Sequence, residues 1–414
     1  MKKLKIGVFG AHRGCHLAHN FKMLGCEIVA LCDFIDRRRE KAAKELGDGI
    51  VQYSDFDSFI EHDMDAVILA NFFHEHAPYA IKCFEKGLHV FSECISNGTM
   101  AEGIELVKAF EKSNSVYMLA ENYPQMIFNR EMKRICDSGT LGKILYAEGE
   151  YNHPVDPMDT SFLSDYNYFE RHWRNYLPRT YYITHSLGPV MRATGATPKK
   201  VTAFAMFEAN KSDFPTARRV GDLAASVMTQ NDDGSVFRIT GCAAYGAHHN
   251  AYRICGTEGQ IENIRGMGDK IMLRYNSWSK PEGAEETNLY DPEWNDKDEE
   301  LIMKSGHGGG DYITARMFIE CINEGKQPEH PFDIYSAVAM SSVAILSHRS
   351  MLEGGKPYDI PDFRDEKWCE MYKNDRLTPF YGTDGSEPTL PCSSKPCEPT
   401  EKQLRMFREM VVEK

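Results

Sequence analysis

A tyrosine and a histidine stand three residues apart at Tyr182 and His185. If this segment opens a helix, side chains at that spacing lie on one face. A tyrosinate that is stabilised by a neighbouring histidine could remove a proton from a carbon atom. The alternative interpretation is an aromatic side chain in the core beside a histidine that caps a turn, and the pair taken alone favours this alternative.

A second set of residues has the spacing of a nucleotide site. The apolar run from Ile6 to Phe9 leads into a turn bounded by Gly10 and Gly14, and a second apolar run ends on Asp33. Glycines allow the backbone to approach a pyrophosphate, a helix N-terminus faces its charge, and an acid after the second strand accepts hydrogen bonds from a ribose diol. The turn is shorter than the usual G-x-G-x-x-G, with His12 near the place of the second glycine. This order predicts an NAD site, with an ordinary glycine turn as the alternative.

The composition argues against several classes of protein. The formal net charge of -13 is unlike that of a nucleic-acid binder, which normally has a basic face. No apolar run approaches the length of a membrane span, and Met1-Lys2-Lys3 leads directly into a strand rather than into a signal-peptide core. We therefore expect a cytosolic protein that does not bind membranes. Of its 12 cysteines, those in or beside apolar segments are expected to be reduced core thiols, namely Cys26, Cys32, Cys83, Cys136, Cys255 and Cys321. The sequence His12-x-x-Cys15-His16 is interpreted as part of the phosphate turn, and no metal site is expected there.

The chain of 414 residues is long enough for two domains. Apolar strands alternate with helical patterns over residues 1–122, which predicts an α/β fold with a doubly wound Rossmann domain. Residues 123–363 are predicted to form an α+β domain with a large, mostly antiparallel sheet, whose exposed face could join copies of the chain into a homo-oligomer. A helix from Ile334 to Leu352 is predicted to begin after Asp333 as its N-cap. Residues 364–414 are predicted to form an extended C-terminal tail.

Two further motifs resemble the Gfo/Idh/MocA family, a group of two-domain NAD(P) enzymes that includes glucose-fructose oxidoreductase and inositol dehydrogenase. The family's A-T-P-x-x-x-H motif places a histidine beside the cofactor, and the corresponding stretch here is Ala70-Asn71-Phe72-Phe73-His74-Glu75-His76, so that His76 is the match. The family's E-K-P motif reads Glu93-Cys94-Ile95. The lysine of that motif is the family's usual acid/base group, and the thiol of Cys94 does not replace its charge.

One subgroup without this lysine, the NAD-dependent α-N-acetylgalactosaminidase-type glycosidases, is the better match. Residues 182–190, which include the tyrosine and the histidine described first, are similar to the subgroup's Y-P-T-H-G-L-G-P-V. Residues 306–312 are similar to its G-H-G-G-M-D-F, residues 148–153 to its E-G-A-Y-x-H, and residues 173–174 to its W-R.

The resemblance implies an enzyme that acts on a sugar or glycoside through NAD. In such chemistry NAD takes a hydride from the 3-position, and the resulting ketone makes the 2-hydrogen acidic enough for a side-chain base. Elimination then expels the group at the 1-position. Water adds and the hydride returns, so the cofactor is not consumed.

The resemblance also implies roles for individual residues. The residues expected to be catalytic are Tyr182, His185, Glu148 and His307. The residues expected to bind substrate are His153, Trp173, Arg174 and Cys94. The residues expected to bind NAD are Gly10, His12, Arg13, Gly14, Asp33, Asn71, His76, Glu93 and Asn122.

Three alternatives stay open at this point. A sugar or glycoside 3-dehydrogenase would stop at the 3-keto product and form NADH, whereas a non-catalytic sensor would bind NAD and sugar without turnover. In the third alternative a divalent ion would lie between Glu148, His153, His185 and His307. Their long and irregular separations make the metal site the least favoured of the three.

Overall fold

The computed structural model describes residues 3–155, 169–209 and 214–412. The strands of the N-terminal sheet are β1 (Lys5–Phe9), β2 (Glu27–Cys32), β3 (Val51–Tyr53), β4 (Ala66–Leu69), β5 (His89–Ser92) and β6 (Tyr117–Leu119). They pair in parallel in the order β3-β2-β1-β4-β5-β6. The helices between them are α1 (Ala11–Met23), α2 (Asp36–Leu46), α3 (Phe56–Phe59), α4 (His76–Glu85) and α5 (Met100–Phe110). The predicted doubly wound α/β fold is therefore confirmed.

Helices cover both faces of this sheet, so its central strands are largely buried, whereas the edge strand β3 is partly exposed. All four residues of β4 are buried. On one face Phe21 of α1 packs against Phe91 of β5, with ring centroids 5.2 Å apart. On the other face Phe9 packs against Phe56 at 4.8 Å. The carboxyl ends of the strands meet at one edge, which is where open α/β sheets bind ligands.

The second sheet has nine strands, and all of its pairs are antiparallel except that of β7 with β10. The strands are β7 (Ile144–Asn152), β8 (Pro198–Phe207), β9 (Asp222–Asn231), β10 (Val236–Ala243), β11 (His249–Gly256), β12 (Gly259–Asn263), β13 (Ile271–Tyr275), β14 (Thr287–Tyr290) and β15 (Tyr358–Asp359). Their order is β14-β13-β12-β11-β7-β10-β9-β8-β15. Phe204, Met206 and Met228 are exposed on this sheet, and association of copies through it stays a prediction.

The helices after residue 122 connect the two sheets. They are α6 (Ile127–Asp137), α7 (Thr184–Thr194), α8 (Glu299–Lys304), α9 (Gly310–Glu324), α10 (Ile334–Leu352), α11 (Glu366–Tyr372) and α12 (Glu401–Val412). Helix α10 has the predicted bounds, and the side chain of Asp333 accepts hydrogen bonds from Tyr335 N and Ser336 N as its N-cap. Within the described ranges, no helix is long and apolar enough to cross a membrane.

Helices α9 and α10 hold the halves together. Almost all of α10 is buried between β8 on one side and α5, β6 and α7 on the others. Helix α9 lies against α1, and its Phe318 is 5.3 Å from Phe91 of the N-terminal sheet, measured between ring centroids. A helix from the second half of the chain therefore completes the cover of the first sheet.

The C-terminal segment crosses back to the N-terminal half. The stretch between α11 and α12 has no helix or strand. His74 Nε2 donates to the carbonyl oxygen of Tyr381 at 3.0 Å, and Thr383 N donates to Glu75 Oε1 at 2.9 Å. His348 Nε2 of α10 donates to the carbonyl oxygen of Pro391 at 2.8 Å. Two buried histidines thus hold this segment by its backbone.

Candidate active site

A cavity of about 1030 Å³ lies where the two halves meet. The ends of β1, β4 and β5 form one wall, and residues around the start of α7 and the ends of β7 and β10 form the opposite wall. All the residues predicted to form the site line this cavity except Gly14 and Glu148. Those that line it are Gly10, His12, Arg13, Asp33, Asn71, His76, Glu93, Cys94, Asn122, His153, Trp173, Arg174, Tyr182, His185 and His307.

Helix α1 begins directly after Gly10, which explains the shortened glycine turn. Gly10 has a φ of 96°, and a Cβ atom there would lie 2.2 Å from the carbonyl oxygen of Ala70. Only glycine fits this close approach, and it leaves the first turn of α1 facing the cavity. Gly14 lies inside the helix, where a Cβ atom would meet Val8 Cγ1 at 2.6 Å. Gly14 therefore serves the packing of α1 on β1 rather than the cavity.

The carboxylate of Asp33 is fixed at the start of α1. Its Oδ2 accepts a hydrogen bond from Ala11 N at 2.7 Å, and its Oδ1 accepts one from Ile35 N at 2.8 Å. Each carboxylate oxygen has more than one acceptor site, so Asp33 can also accept from ribose hydroxyls. Its position on the cavity wall is the one that the NAD prediction requires.

Three buried polar atoms on this wall have no hydrogen-bond partner among the described residues, namely Asn71 Oδ1, His76 Nε2 and Asn122 Oδ1. His76 Nδ1 donates to the carbonyl oxygen of Ile95 at 2.7 Å, and burial lowers the pKa of His76, so Nε2 keeps its lone pair. Buried polar groups are normally paired. These unpaired atoms, with the glycine turn and Asp33, fit a bound dinucleotide with its amide and hydroxyl groups.

Arg13 joins the two halves at the wall of the cavity. It donates to Glu93 Oε1 at 2.6 Å and to both carboxylate oxygens of Asp311 at 2.9 and 2.7 Å. Asp311 also accepts from Asn122 Nδ2 at 2.7 Å and from His307 Nδ1 at 2.9 Å. Burial acts to raise the pKa of Asp311, but the charge and hydrogen bonds of Arg13 hold it well below its usual range. The prediction singled out the other four residues and missed Asp311, which connects them.

Tyr182 and His185 meet, although not as two side chains on one helix. Helix α7 begins at Thr184, so Tyr182 precedes it. The two rings are 5.3 Å apart between centroids and nearly perpendicular, at 85°. Burial raises the pKa of Tyr182, and the charge of Arg174 opposes this only in part. The structure therefore favours a neutral tyrosine hydroxyl over a tyrosinate.

His185 is oriented by Glu121, which the sequence analysis did not identify. His185 Nδ1 lies 2.8 Å from Glu121 Oε1, and Cys94 Sγ donates to Oε2 at 3.2 Å. Burial acts to raise the pKa of the fully buried Glu121, but the charge of His185 and its hydrogen bond outweigh that effect and lower it. An ionised Glu121 accepts from Nδ1–H, which leaves the lone pair on His185 Nε2 available to a proton.

One signal in the sequence could have identified Glu121. It follows the buried run from Tyr117 to Ala120 directly, at the carboxyl end of β6. A carboxylate is almost never fully buried without a charged or hydrogen-bonding partner. The position of Glu121 directly after a buried strand therefore predicts that such a partner exists. The partner, His185, is 64 residues away in the sequence.

Aromatic rings surround Tyr182. Its ring lies 5.8 Å from Tyr151 and 5.9 Å from Phe73, measured between centroids. Trp173 stacks on Phe73 at 5.2 Å, and the guanidinium carbon of Arg174 lies 4.4 Å from the centre of the Trp173 ring. Since Phe73 and Arg174 already contact Trp173, a sugar-stacking role for this ring stays a prediction.

His153 lies at the opposite wall from the glycine turn. Its ring stacks on Tyr151 with centroids 5.6 Å apart, and the ring of His248 lies 4.9 Å away. Burial and then the positive charge of His248 lower the pKa of His153, so it is neutral near pH 7. A neutral imidazole can both donate and accept hydrogen bonds to sugar hydroxyls.

Glu148 lies on the other face of the second sheet, contrary to the prediction that it is catalytic. Gly149 of β7 faces α7, and a Cβ atom there would lie 2.0 Å from the carbonyl oxygen of Ser186. Alternate residues of a strand point to opposite faces, so Glu148 points away from the cavity. It accepts instead from Tyr146 Oη at 2.8 Å and from Arg253 Nη2 at 2.6 Å. A metal site that needs Glu148 beside the three cavity histidines therefore does not form.

Comparison with known proteins gives two matching family models. Residues 4–121 match the model described as Oxidoreductase family, NAD-binding Rossmann fold, and residues 130–370 match Glycosyl hydrolase 109, C-terminal domain. The chain is 25% identical to a Glycosyl hydrolase family 109 protein of Streptomyces niveus, over 94% of this chain and 81% of the relative. It is 27% identical to Glycosyl hydrolase family 109 protein 2 of Akkermansia muciniphila, over 88% of this chain and 83% of the relative.

Solved structures share the fold. A levoglucosan dehydrogenase in complex with NADH and levoglucosan has a TM-score of 0.72 at 19% identity, over 87% of this chain and 100% of that chain. An NAD binding oxidoreductase from Klebsiella pneumoniae has a TM-score of 0.69 at 15% identity, over 87% of this chain and 99% of that chain. At these identities the similarity concerns the arrangement of the two sheets.

Proposed function

The chain belongs to the glycosyl hydrolase 109 family, and from that premise we propose that it cleaves a glycosidic bond by temporary oxidation of the sugar at its 3-position. It is an NAD-binding enzyme of the Gfo/Idh/MocA group. The proposal depends above all on the pair of Glu121 and His185, with Nδ1 and Oε1 2.8 Å apart. This pair provides an oriented base beside Tyr182, in the same cavity as the glycine turn and Asp33.

Residues of both halves have separate tasks in this proposal. Gly10, Asp33, Asn71 and His76 hold the dinucleotide. When bound, NAD supplies the temporary oxidation, because it can accept a hydride from the 3-carbon and return it. As the hydride leaves, the proton of the 3-hydroxyl passes to the neutral imidazole of His153, which gives it back when the hydride returns. The ketone that this leaves on the sugar makes the 2-hydrogen acidic.

His185 is proposed to remove this 2-hydrogen as a proton through Nε2. The electron pair of the C2–H bond then forms a C1–C2 double bond, and the leaving group departs with the electrons of its bond to C1. Water adds its oxygen to C1 and gives one proton to the anion of the leaving group. His185, whose imidazolium proton exchanges with solvent, then delivers a proton to C2. Glu121 stabilises the imidazolium that exists between these steps. Tyr182, which burial keeps protonated, donates a hydrogen bond to the 3-oxygen.

The test is to incubate the enzyme in D₂O with NAD and a panel of aryl glycosides in both anomeric forms. Cleavage through a 3-keto intermediate exchanges the 2-hydrogen with solvent, so the expected product is deuterated at the 2-position, without accumulation of NADH. Stoichiometric NADH with an intact glycosidic bond would establish a sugar 3-dehydrogenase instead. Sugar binding without turnover would indicate a sensor, and cleavage that is independent of NAD and keeps the 2-hydrogen would reject the redox mechanism.

A further inference from the structure

The wall of the cavity around the start of α7 and the ends of β7 and β10 is named the substrate side. Three arginines line it, namely Arg174, Arg179 and Arg218. The first two precede α7, and the third precedes β9. All three lie near the buried thiol of Cys242. Burial raises the pKa of Cys242, and the positive charges of all three arginines act against that rise. Separate segments of the chain therefore bring three guanidinium groups to one part of the wall.

Arg179 donates to neutral acceptors. Its Nε donates to the carbonyl oxygen of Asp222 at 3.1 Å, and its Nη1 contacts Cys242 Sγ at 3.6 Å. The carboxylate of Asp222 is used elsewhere, since it accepts from Ser394 N at 2.8 Å and from Ser394 Oγ at 2.5 Å. Among the residues that the structure describes, no ion pair includes Arg179. The C-terminal segment thus takes the carboxylate that would otherwise be the nearest partner of this cation.

Arg179 and Arg218 also repel each other. The charge of Arg179 and then burial lower the pKa of Arg218 to about 9. A guanidinium such as that of Arg179, without a carboxylate partner among the described residues and beside a second positive charge, costs free energy, and an anion bound to Arg179 offsets that cost. Within the described residues, the acidic side chains that line the same cavity are Asp33, Glu75 and Glu93 on the NAD side and the exposed Glu208.

We propose that the substrate is an anionic sugar whose carboxylate, sulfate or phosphate group binds to Arg179, with Arg174 and Arg218 beside it. This inference rests on the proposed function, because it takes this side of the cavity as the sugar site. A guanidinium presents a planar fork of donors that fits two oxygens of such a group. The phosphates of the dinucleotide have their own site at the N-terminus of α1, on the opposite wall.

The first test compares matched substrates on the native holoenzyme. The pairs are 4-nitrophenyl glucuronide with the glucoside and galacturonide with the galactoside, in both anomeric forms, together with the 6-sulfated and 6-phosphorylated glycosides. Hydrogen bonds to a charged group contribute about 1.5 to 3 kcal/mol, so kcat/KM for one anionic member should exceed that of its neutral partner about 10- to 100-fold. The member with the highest value identifies which of the three anions is recognised.

Binding without turnover is the second test. Calorimetry on the NAD-loaded protein should give tighter binding of free glucuronate, galacturonate or a sugar 6-sulfate or 6-phosphate than of glucose or galactose. Selective binding of an anionic sugar without cleavage would support this inference and reject the proposed function. Cleavage of neutral glycosides with no preference for the anionic partners would support the proposed function and overturn this inference.

Variants of Arg179 assign the effect to this residue. Arg179→Met should remove most of the preference for the anionic sugar while NAD affinity stays unchanged, and Arg179→Lys should retain part of it because it keeps the charge but not the fork. The control is Arg134→Met, since Arg134 lies on α6 and pairs with Glu131 outside the cavity. Retention of the full preference in Arg179→Met would overturn the assignment of anion binding to Arg179. If that variant does not fold, the comparison of anionic and neutral glycosides on the native holoenzyme tests the proposal by itself.

Discussion

At the NAD side of the cavity Arg13 donates to two carboxylates, whereas at the substrate side Arg179 donates to a carbonyl oxygen and a thiol. The carboxylate of Asp33 is held by two backbone N–H groups at the first side. At the NAD side these charged groups therefore pair with other groups of the protein itself. At the substrate side Arg179 has no carboxylate partner among the described residues, and in our proposal an anionic group of the substrate takes that place. The comparison thus predicts one wall for an unchanging cofactor and one wall that selects the substrate.

The largest expected effect separates chemistry from NAD binding. His185→Ala should lower turnover about 10²- to 10⁴-fold, because it removes one positioned acid/base group, while NAD affinity measured by calorimetry changes little. Tyr182→Phe should act in the same direction. The matched control is His249→Ala, since His249 pairs with Glu150 as His185 pairs with Glu121 but lies on the other face of the sheet. Near-native turnover in His185→Ala would mean that His185 is not the base that removes the 2-hydrogen.

The next prediction concerns how much the ion pairs of Arg13 at the NAD side contribute to stability. Arg13→Met leaves the buried carboxylate of Asp311 and the half-buried carboxylate of Glu93 without their cation, so we expect the free energy of unfolding to fall by about 3 to 5 kcal/mol. Urea unfolding measures this loss. Lys133→Met is the control, since the exposed pair of Lys133 and Asp137 on α6 should contribute about 0.5 kcal/mol or less. Equal losses in the two variants would show that the Arg13 network does not hold the halves together.

A third effect concerns the C-terminal segment, which contacts both halves of the molecule. Burial lowers the pKa of His74 and of His348 to about 4, although hydrogen bonds to the carbonyl oxygens of Tyr381 and Pro391 partly oppose this. In the unfolded chain both would titrate near 6.5. The unfolded state therefore binds more protons between pH 6.5 and 4, so stability is full above pH 6.5 and is lost as the pH falls toward 4.

Each of these histidines should contribute up to about 3 kcal/mol to that loss. The free energy of unfolding, measured by denaturant at several pH values, should fall less steeply in His348→Gln, whose amide can still donate to Pro391 but does not titrate. Hydrogen exchange of residues 378–400 should report earlier opening of this segment at acid pH. A native protein whose stability is flat between pH 7 and 4.5 would contradict the prediction.

The smallest effect concerns the choice of dinucleotide. Asp33 should favour NAD over NADP, because its carboxylate accepts from a free 2′-hydroxyl and repels a 2′-phosphate. Arg38 also lines the cavity and limits the size of this preference. The measurement is the dissociation constant of each dinucleotide for the native protein and for Asp33→Asn, in which the preference should narrow. NADP affinity equal to that of NAD in the native protein would reject the assignment.

The sequence predicted the fold and the NAD cofactor correctly because those signals are local. Gly10 and Asp33 belong to one strand, helix and strand unit, and backbone geometry within that unit brings the carboxylate to Ala11 N. The same is true of α10, whose bounds follow from its own capping residue Asp333 and its own apolar content. Interactions between neighbours in sequence depend little on the rest of the fold.

The substrate side could be predicted only in part. Tyr182 and His185 were identified as a pair, but their spacing suggested one helix, whereas Tyr182 precedes α7. Glu148 was assigned to the site from a resemblance, although its place in β7 turns it to the opposite face. A motif match does not fix which face of a strand a residue occupies, because that depends on the register of the whole sheet.

The sequence by itself determined the order of the elements, the glycine turn, the acid that is predicted to favour NAD and the chemical types of the cavity residues. Only the tertiary structure decided which groups are partners. His185 meets Glu121 across 64 residues, and Arg13 meets Asp311 across 298. It also decided that the carboxylate of Asp222 accepts a hydrogen bond from Ser394, whereas Arg179 donates only to the backbone carbonyl oxygen of Asp222 and lines the cavity. Partners so distant in the chain are brought together by packing of the core, so no local pattern of residues can specify them.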